Sequence, residues 1–212
     1  MESSGGFLRS FRSVEDRFIR KLSSCGASSV ARAADEATVR WDIISLAAKV
    51  GGGFNVSAGG ISSALANDGT KITFTGSGTF KVQDGEFEDV KGGGAWTIGS
   101  TSGTYKAKKV IQFIRAPGAP NPANTDLIGN ASEASPGFLV LRIRYNDGSK
   151  GILVVSCHLV GTPDSVFEGI TATRDFVDFW NREAPNGPPP AAFVDANRTL
   201  FHIVPGEAEN ED

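Results

Sequence analysis

Two histidines are present in the chain, and one of them lies where an imidazole can do chemistry. His158 follows Ser156 by two positions in an apolar run spanning 152–159, so on an extended backbone the two side chains share a face. An imidazole on an inner β face exchanges a proton near neutral pH wherever it meets a cavity, and elsewhere it is a satisfied core group. Glu168 stands between apolar residues in Phe167-Glu168-Gly169-Ile170. A carboxylate in such a strand either faces solvent, the reading the alternation favours, or faces inwards with a raised pKa, where it would pair with His158 as acid and base. His202 alternates with Phe201 and Ile203, and the pattern leaves open which face is inside. His158, His202 and Glu168 are suitable zinc ligand types, but no spacing joins them, and no metal site is expected.

Other nucleophile arrangements are weaker. Cys157 is set on the face opposite His158, which disfavours a Cys–His pair. Ser156 and His158 are same-face neighbours about 7 Å apart, too far for a direct hydrogen bond. The runs Gly51-Gly52-Gly53 and Gly92-Gly93-Gly94 lack the Lys-Ser/Thr that completes a phosphate loop, so nucleotide binding is not expected. Cys25 and Cys157 lie in unrelated contexts, and a disulfide between them is not expected either.

The elements that must position these groups read as β. Residues 38–48 alternate Val39, Trp41 and Ile43 with Arg40 and Asp42, a half-buried strand. Residues 71–82 place Ile72, Phe74, Gly76, Gly78, Phe80 and Val82 on one face and Lys and Thr on the other. The two glycines on that apolar face imply tight curvature or space for a ligand. Residues 104–114 put Tyr105, Ala107, Ile111 and Phe113 together, with Lys106 and Lys108 outwards. Residues 116–136 show little periodicity and read as a long loop, a place where function often resides.

The segment 137–159 predicts a hairpin around Asp147-Gly148. A turn of two or four residues sets Ile143 opposite Ile152, Leu141 opposite Val154, Leu139 opposite Ser156 and Gly137 opposite His158. In that register Arg142 and Arg144 face out, Cys157 meets Phe138, and Ser156 and His158 continue the inner stripe. Residues 167–173 and 198–204 read as strands, 174–181 as strand or helical turn, and 184–192 as a Pro-rich loop.

The remaining segments differ in character. Residues 1–34 form an arm in which Phe7, Phe11, Val14, Phe18 and Leu22 mark one stripe of a basic amphipathic helix. Residues 7–22 of such a helix suit contact with a membrane surface or, with Glu15 and Asp16 against it, mitochondrial import. Residues 206–212 form an acidic tail. The expected organisation is therefore an arm (1–34), a β domain (35–205) and a tail.

Composition limits the partners. With 212 residues, 40% hydrophobic and 21% charged, the chain has ordinary globular usage, and its 26 glycines favour turns and strands. A net charge of −3 and the lack of a basic run in 35–205 give no expectation of nucleic-acid binding. There is no apolar run of about 18 residues and no signal-like apolar segment near the start, so a cytoplasmic location is the simplest expectation.

The strand Gly78-Thr79-Phe80-Lys81-Val82, the turn Gly92-Gly93-Gly94-Ala95-Trp96 and Gly103-Thr104-Tyr105 resemble allene oxide cyclase and dirigent-type β-barrels over about a quarter of the chain. The resemblance implies an antiparallel barrel around an apolar central cavity in which a reactive hydrophobic intermediate is steered. It transfers no functional residues, and the N-terminal arm and Pro-rich insertion depart from it.

The fold expected is all-β: a curled or closed antiparallel barrel with an N-terminal helix and a Pro-rich loop before the last strand. The function expected is a cofactor-independent cyclase, isomerase or lyase on a small apolar substrate. His158 and Glu168 would move protons, and Trp41, Phe80, Trp96, Tyr105, Phe113, Leu139, Leu141 and Ser156 would line the pocket. A non-catalytic carrier of a similar ligand, or an interaction protein acting through its helical arm, are the alternatives.

Overall fold

The computed structural model describes residues 36–184 and 193–206. The arm, the Pro-rich loop from 185 and the tail from 207 lie outside the described residues, so the helix, targeting and membrane-contact expectations do too.

The described residues are all-β. In chain order the strands are β1 (Glu36–Ala48), β2 (Phe54–Ala58), β3 (Ser62–Leu65), β4 (Lys71–Phe74), β5 (Ser77–Gln83), β6 (Glu86–Ile98), β7 (Thr101–Arg115) and β8 (Thr125–Asp126). They continue as β9 (Ala134–Ser135), β10 (Gly137–Tyr145), β11 (Lys150–Cys157), β12 (Gly169–Arg174), β13 (Val177–Phe179), β14 (Asn181–Arg182) and β15 (Phe193–Pro205). One hydrogen-bonded sheet runs β13-β12-β11-β10-β7-β6-β5-β1-β15-β9, and β4-β3-β14 branches from the second half of β6. Pairing is antiparallel except between β2 and β8.

The sheet is curled but does not close into a barrel. Its end strands β13 and β9 share no ladder, and where β15 approaches β11 and β12 the links are made by side chains. Thr199 Oγ1 donates to the Ser156 carbonyl of β11 at 2.7 Å, and Asn197 Oδ1 likewise ties β15 to β3 by accepting Ser63 N–H at 2.8 Å. The closed form of the expected barrel is thus corrected to an open, curled sheet.

The apolar stripes of β5, β7, β10 and β15 meet in one core. Its aromatic rings pack edge to face: Phe80 on Phe113 (5.4 Å), Phe113 on Phe201 (5.4 Å), Phe74 on Tyr105 (5.1 Å) and Trp96 on Tyr145 (5.7 Å). Such contacts add about 0.5–1.5 kcal/mol per pair to the burial itself. β1 is more than half-buried. Asp42 is inaccessible, and Arg40 grips it through Nε at 2.7 Å and the second guanidinium nitrogen at 2.9 Å. The glycines at 76 and 78 leave no ligand space. A Cβ at Gly78 would meet the Trp41 indole nitrogen at 2.7 Å and the Lys91 carbonyl at 2.3 Å, so they serve close approach of strand and ring.

The hairpin register differs from expectation by one residue. Gly137 opposes Cys157, Phe138 opposes Ser156, Leu139 opposes Val155, Leu141 opposes Leu153, and Arg142 opposes Ile152. The turn explains the shift. Tyr145 N–H donates to the Ser149 carbonyl at 2.9 Å, enclosing three residues, Asn146, Asp147 and Gly148, with Gly148 at φ +92°. An odd loop moves every pair by one relative to a turn of two or four. Asp147 Oδ1 secures this turn by accepting Ser149 N–H at 2.9 Å and its hydroxyl at 2.7 Å. Arg142 and Arg144 still face out, but Ser156 leaves the Leu139–Leu141 face and Cys157 enters it.

Candidate functional site

β11 ends at Cys157, and beyond it the ladder alternation no longer fixes which way a side chain points. His158 is held there by two contacts. Its backbone N–H donates to Glu168 Oε2 at 2.8 Å, and Nδ1 lies 2.8 Å from the Val166 carbonyl. A carbonyl only accepts, so Nδ1 carries the hydrogen, and Nε2 keeps its lone pair in the neutral ring. Among the described residues Nε2 has no hydrogen-bond partner.

Glu168 is buried, not on an outer face as the alternation suggested. Glu168 stands one residue before β12, whose first residue, Gly169, has φ +104°, so the strand alternation does not extend to it. Oε1 accepts Thr199 N–H at 2.7 Å, with the Thr199 hydroxyl oxygen, whose proton goes to the Ser156 carbonyl, 3.4 Å away, while Oε2 takes His158 N–H. Burial pushes the carboxyl up to about 7, against the pull of its donors and of Arg198 towards the ionised form.

These groups border a cavity of about 160 Å³. One wall is Ile44 and Leu46 of β1 with Val56 of β2; another is Thr199 and Leu200 of β15 with Leu159. The third comes from 116–136, which reads as a loop by sequence and supplies Pro120, Asn121, Pro122, Asn124, Asp126, Ala131 and Ala134. This segment is fixed by β8 pairing with β2, by Asn130 Oδ1 capping a short 3-10 turn, and by β9 pairing with β15. A second, more open cavity of about 230 Å³ adjoins Asp164, Val166, Phe167 and Arg182; His158, Glu168 and Arg198 belong to the walls of both.

The expected pocket lining is placed elsewhere. Trp41, Phe80, Trp96, Tyr105, Phe113, Leu139 and Leu141 are buried core residues, and none lines the cavity at His158. Their side chains fill the interior that the barrel resemblance implied would be hollow. Ser156 is inaccessible, its Oγ 3.5 Å from the Gly137 carbonyl, and it also lies outside the cavity walls. Cys157 is a free buried thiol whose pKa burial pushes up, with the Glu168 charge adding to the effect.

His202 is buried with Nε2 at 2.8 Å from Asp126 Oδ2, while its Nδ1 has no partner among the described residues. Asp126 Oδ1 also accepts the N–H groups of Ile128 and Gly129. His158, His202 and Glu168 do not converge as a metal-ligand set.

Two features escaped the sequence reading. Asp126 and Arg198 both line the cavity, yet one sits in an aperiodic loop and the other in the polar stretch Asp195-Ala196-Asn197-Arg198, with nothing local to mark either. The outer face also gathers cations from distant segments: Arg142 opposes Lys109, and Arg144 opposes both Lys106 and Lys150. No basic run signals that surface, because its members belong to three strands.

Comparison with protein-family models, curated proteins and solved structures finds no match to any of them.

Proposed function

We propose that the cavity beside His158 binds a small, mainly apolar molecule and that His158 moves a proton on it, in a cyclase-, isomerase- or lyase-type reaction that needs no cofactor. The observation that carries this reading is the half-tied imidazole. Nδ1 is fixed on the Val166 carbonyl, which orients the ring and leaves Nε2 as the acceptor, at the wall of a cavity made chiefly of aliphatic and proline side chains. Glu168 holds the His158 backbone against β15 and so positions the ring.

A nitrobenzisoxazole tests the base directly. Removal of its one reactive C–H proton breaks the ring N–O bond and releases a coloured nitrophenolate. The full chain should open it faster than free imidazole at equal concentration, and His158→Gln should lose about a hundredfold with an unchanged melt. A His158→Gln variant that keeps the rate overturns the proposal.

A carrier without turnover is the second reading. It is favoured by the engagement of both Glu168 oxygens, which accept the backbone N–H groups of His158 and Thr199 and leave His158 without a free acid partner in the cavity. Retention of a ligand by the full chain with no turnover of the benzisoxazole would select it.

A further inference from the structure

The polar groups of the cavity are unequally satisfied. The two acids are engaged at both oxygens: Asp126 takes His202 and two backbone N–H groups, and Glu168 takes the N–H groups of His158 and Thr199. The cation is not. Among the described residues the Arg198 guanidinium makes no hydrogen bond and no ion pair, and its Nε is buried without a partner. A guanidinium has five donors in a planar fork, and a buried N–H that meets neither protein nor water is costly. The donor supply of this cavity is thus left open on one side chain, next to aliphatic walls.

We propose that the ligand of this cavity carries one carboxylate, bound by Arg198, on a compact apolar body. The inference rests on the reading of the cavity as a ligand site and names the class of molecule it takes. A guanidinium meets a carboxylate through two parallel N–H···O bonds, and burial of Nε makes such a pair stronger than at a surface. A single cation with no glycine-rich nest beside it matches one negative charge better than a phosphate, which gathers several donors. Size limits the body. At about 10–15 Å³ of such space per water-sized group, the cavity holds roughly a dozen of them, and octanoate, with eight carbons and two oxygens, is a fitting probe.

The test is calorimetric titration of the full chain with octanoate, octanol and methyl octanoate. Octanoate should bind, with the alcohol and ester at least tenfold weaker. Arg198→Met should abolish that preference while leaving octanol affinity unchanged, and Arg198→Lys should retain part of it; circular dichroism confirms that each variant is folded. Equal binding of octanoate and octanol, or a preference that survives Arg198→Met, overturns the inference and leaves the cavity reading standing. If none of the three binds, the cavity reading fails and the inference with it. Displacement of octanoate by inorganic phosphate at comparable concentration would overturn the choice of carboxylate.

Discussion

The Glu168 carboxylate accepts the backbone N–H of Thr199 at 2.7 Å and so joins the end of one strand pair to β15, where no ladder runs. With His158 N–H on the other oxygen, a buried acid becomes the clasp of an open sheet.

That clasp should be pH-dependent. Glu168 titrates at about 7 in the folded chain, raised by burial from an ordinary 4.5. Below the unfolded value both states hold the proton and its contribution is complete. As pH rises from about 4.5 to about 7 the folded state binds more protons than the unfolded, so stability falls, by on the order of 3 kcal/mol in total. Urea unfolding across this window should show wild type losing that amount relative to Glu168→Gln, which cannot ionise. Parallel profiles would remove Glu168 as the cause.

The turn at Asn146-Asp147-Gly148 should be sensitive at one position. Gly148 holds φ +92°, with nothing nearer than the Arg144 guanidinium at 3.8 Å to a built Cβ, so an alanine there meets backbone strain and no steric block. Gly148→Ala should cost about 1–2 kcal/mol, and Gly148→Asn less, since asparagine tolerates the left-handed region. Denaturant midpoints for the two variants check this ordering.

The same turn shows what the sequence could and could not tell. Alternation of Leu139, Leu141 and Ile143 with Arg142 and Arg144 correctly set the faces of β10, because burial of a period-two stripe is a local property. The partner strand was one residue out, because Ile152, Leu153, Val154 and Val155 are apolar on both faces and cannot report register, while Asp147-Gly148 suits even and odd loops alike. His158 reaches the cavity all the same, since it stands past the ladder. Its neighbours Glu168, Asp126 and Arg198 converge from three distant segments. The apolar flanks of Glu168 marked it as a candidate partner, the aperiodic character of 116–136 pointed to the segment of Asp126, and nothing local pointed to Arg198.

The aromatic rings away from the cavity should behave as core. Phe113 touches Phe80 and Phe201 at 5.4 Å each and lies away from the cavity walls. Phe113→Ala should lose about 3–5 kcal/mol of stability, while octanoate affinity, measured where the variant is still folded, stays within a factor of two of wild type. A selective loss of affinity with little loss of stability would return Phe113 to the site.

Asp126 links stability to the cavity. It supports His202 through Oδ2 and fixes the loop by accepting Ile128 and Gly129 N–H through Oδ1, and it is itself part of the cavity wall. Asp126→Ala would leave a buried imidazole with neither nitrogen paired among the described residues and two backbone donors released, a cost of about 1–3 kcal/mol for each buried group left unsatisfied. Asp126→Asn keeps the shape and the loop acceptor, and its amide can donate to His202 Nε2 only with the ring proton moved to the buried, unpaired Nδ1, so it should fall between wild type and alanine. The ordering should appear twice: in denaturant midpoints, and in ligand affinity as the wall formed by Asn124 to Ala134 loosens. Asp126→Ala with wild-type stability and wild-type octanoate binding would show that the His202 pair carries neither role.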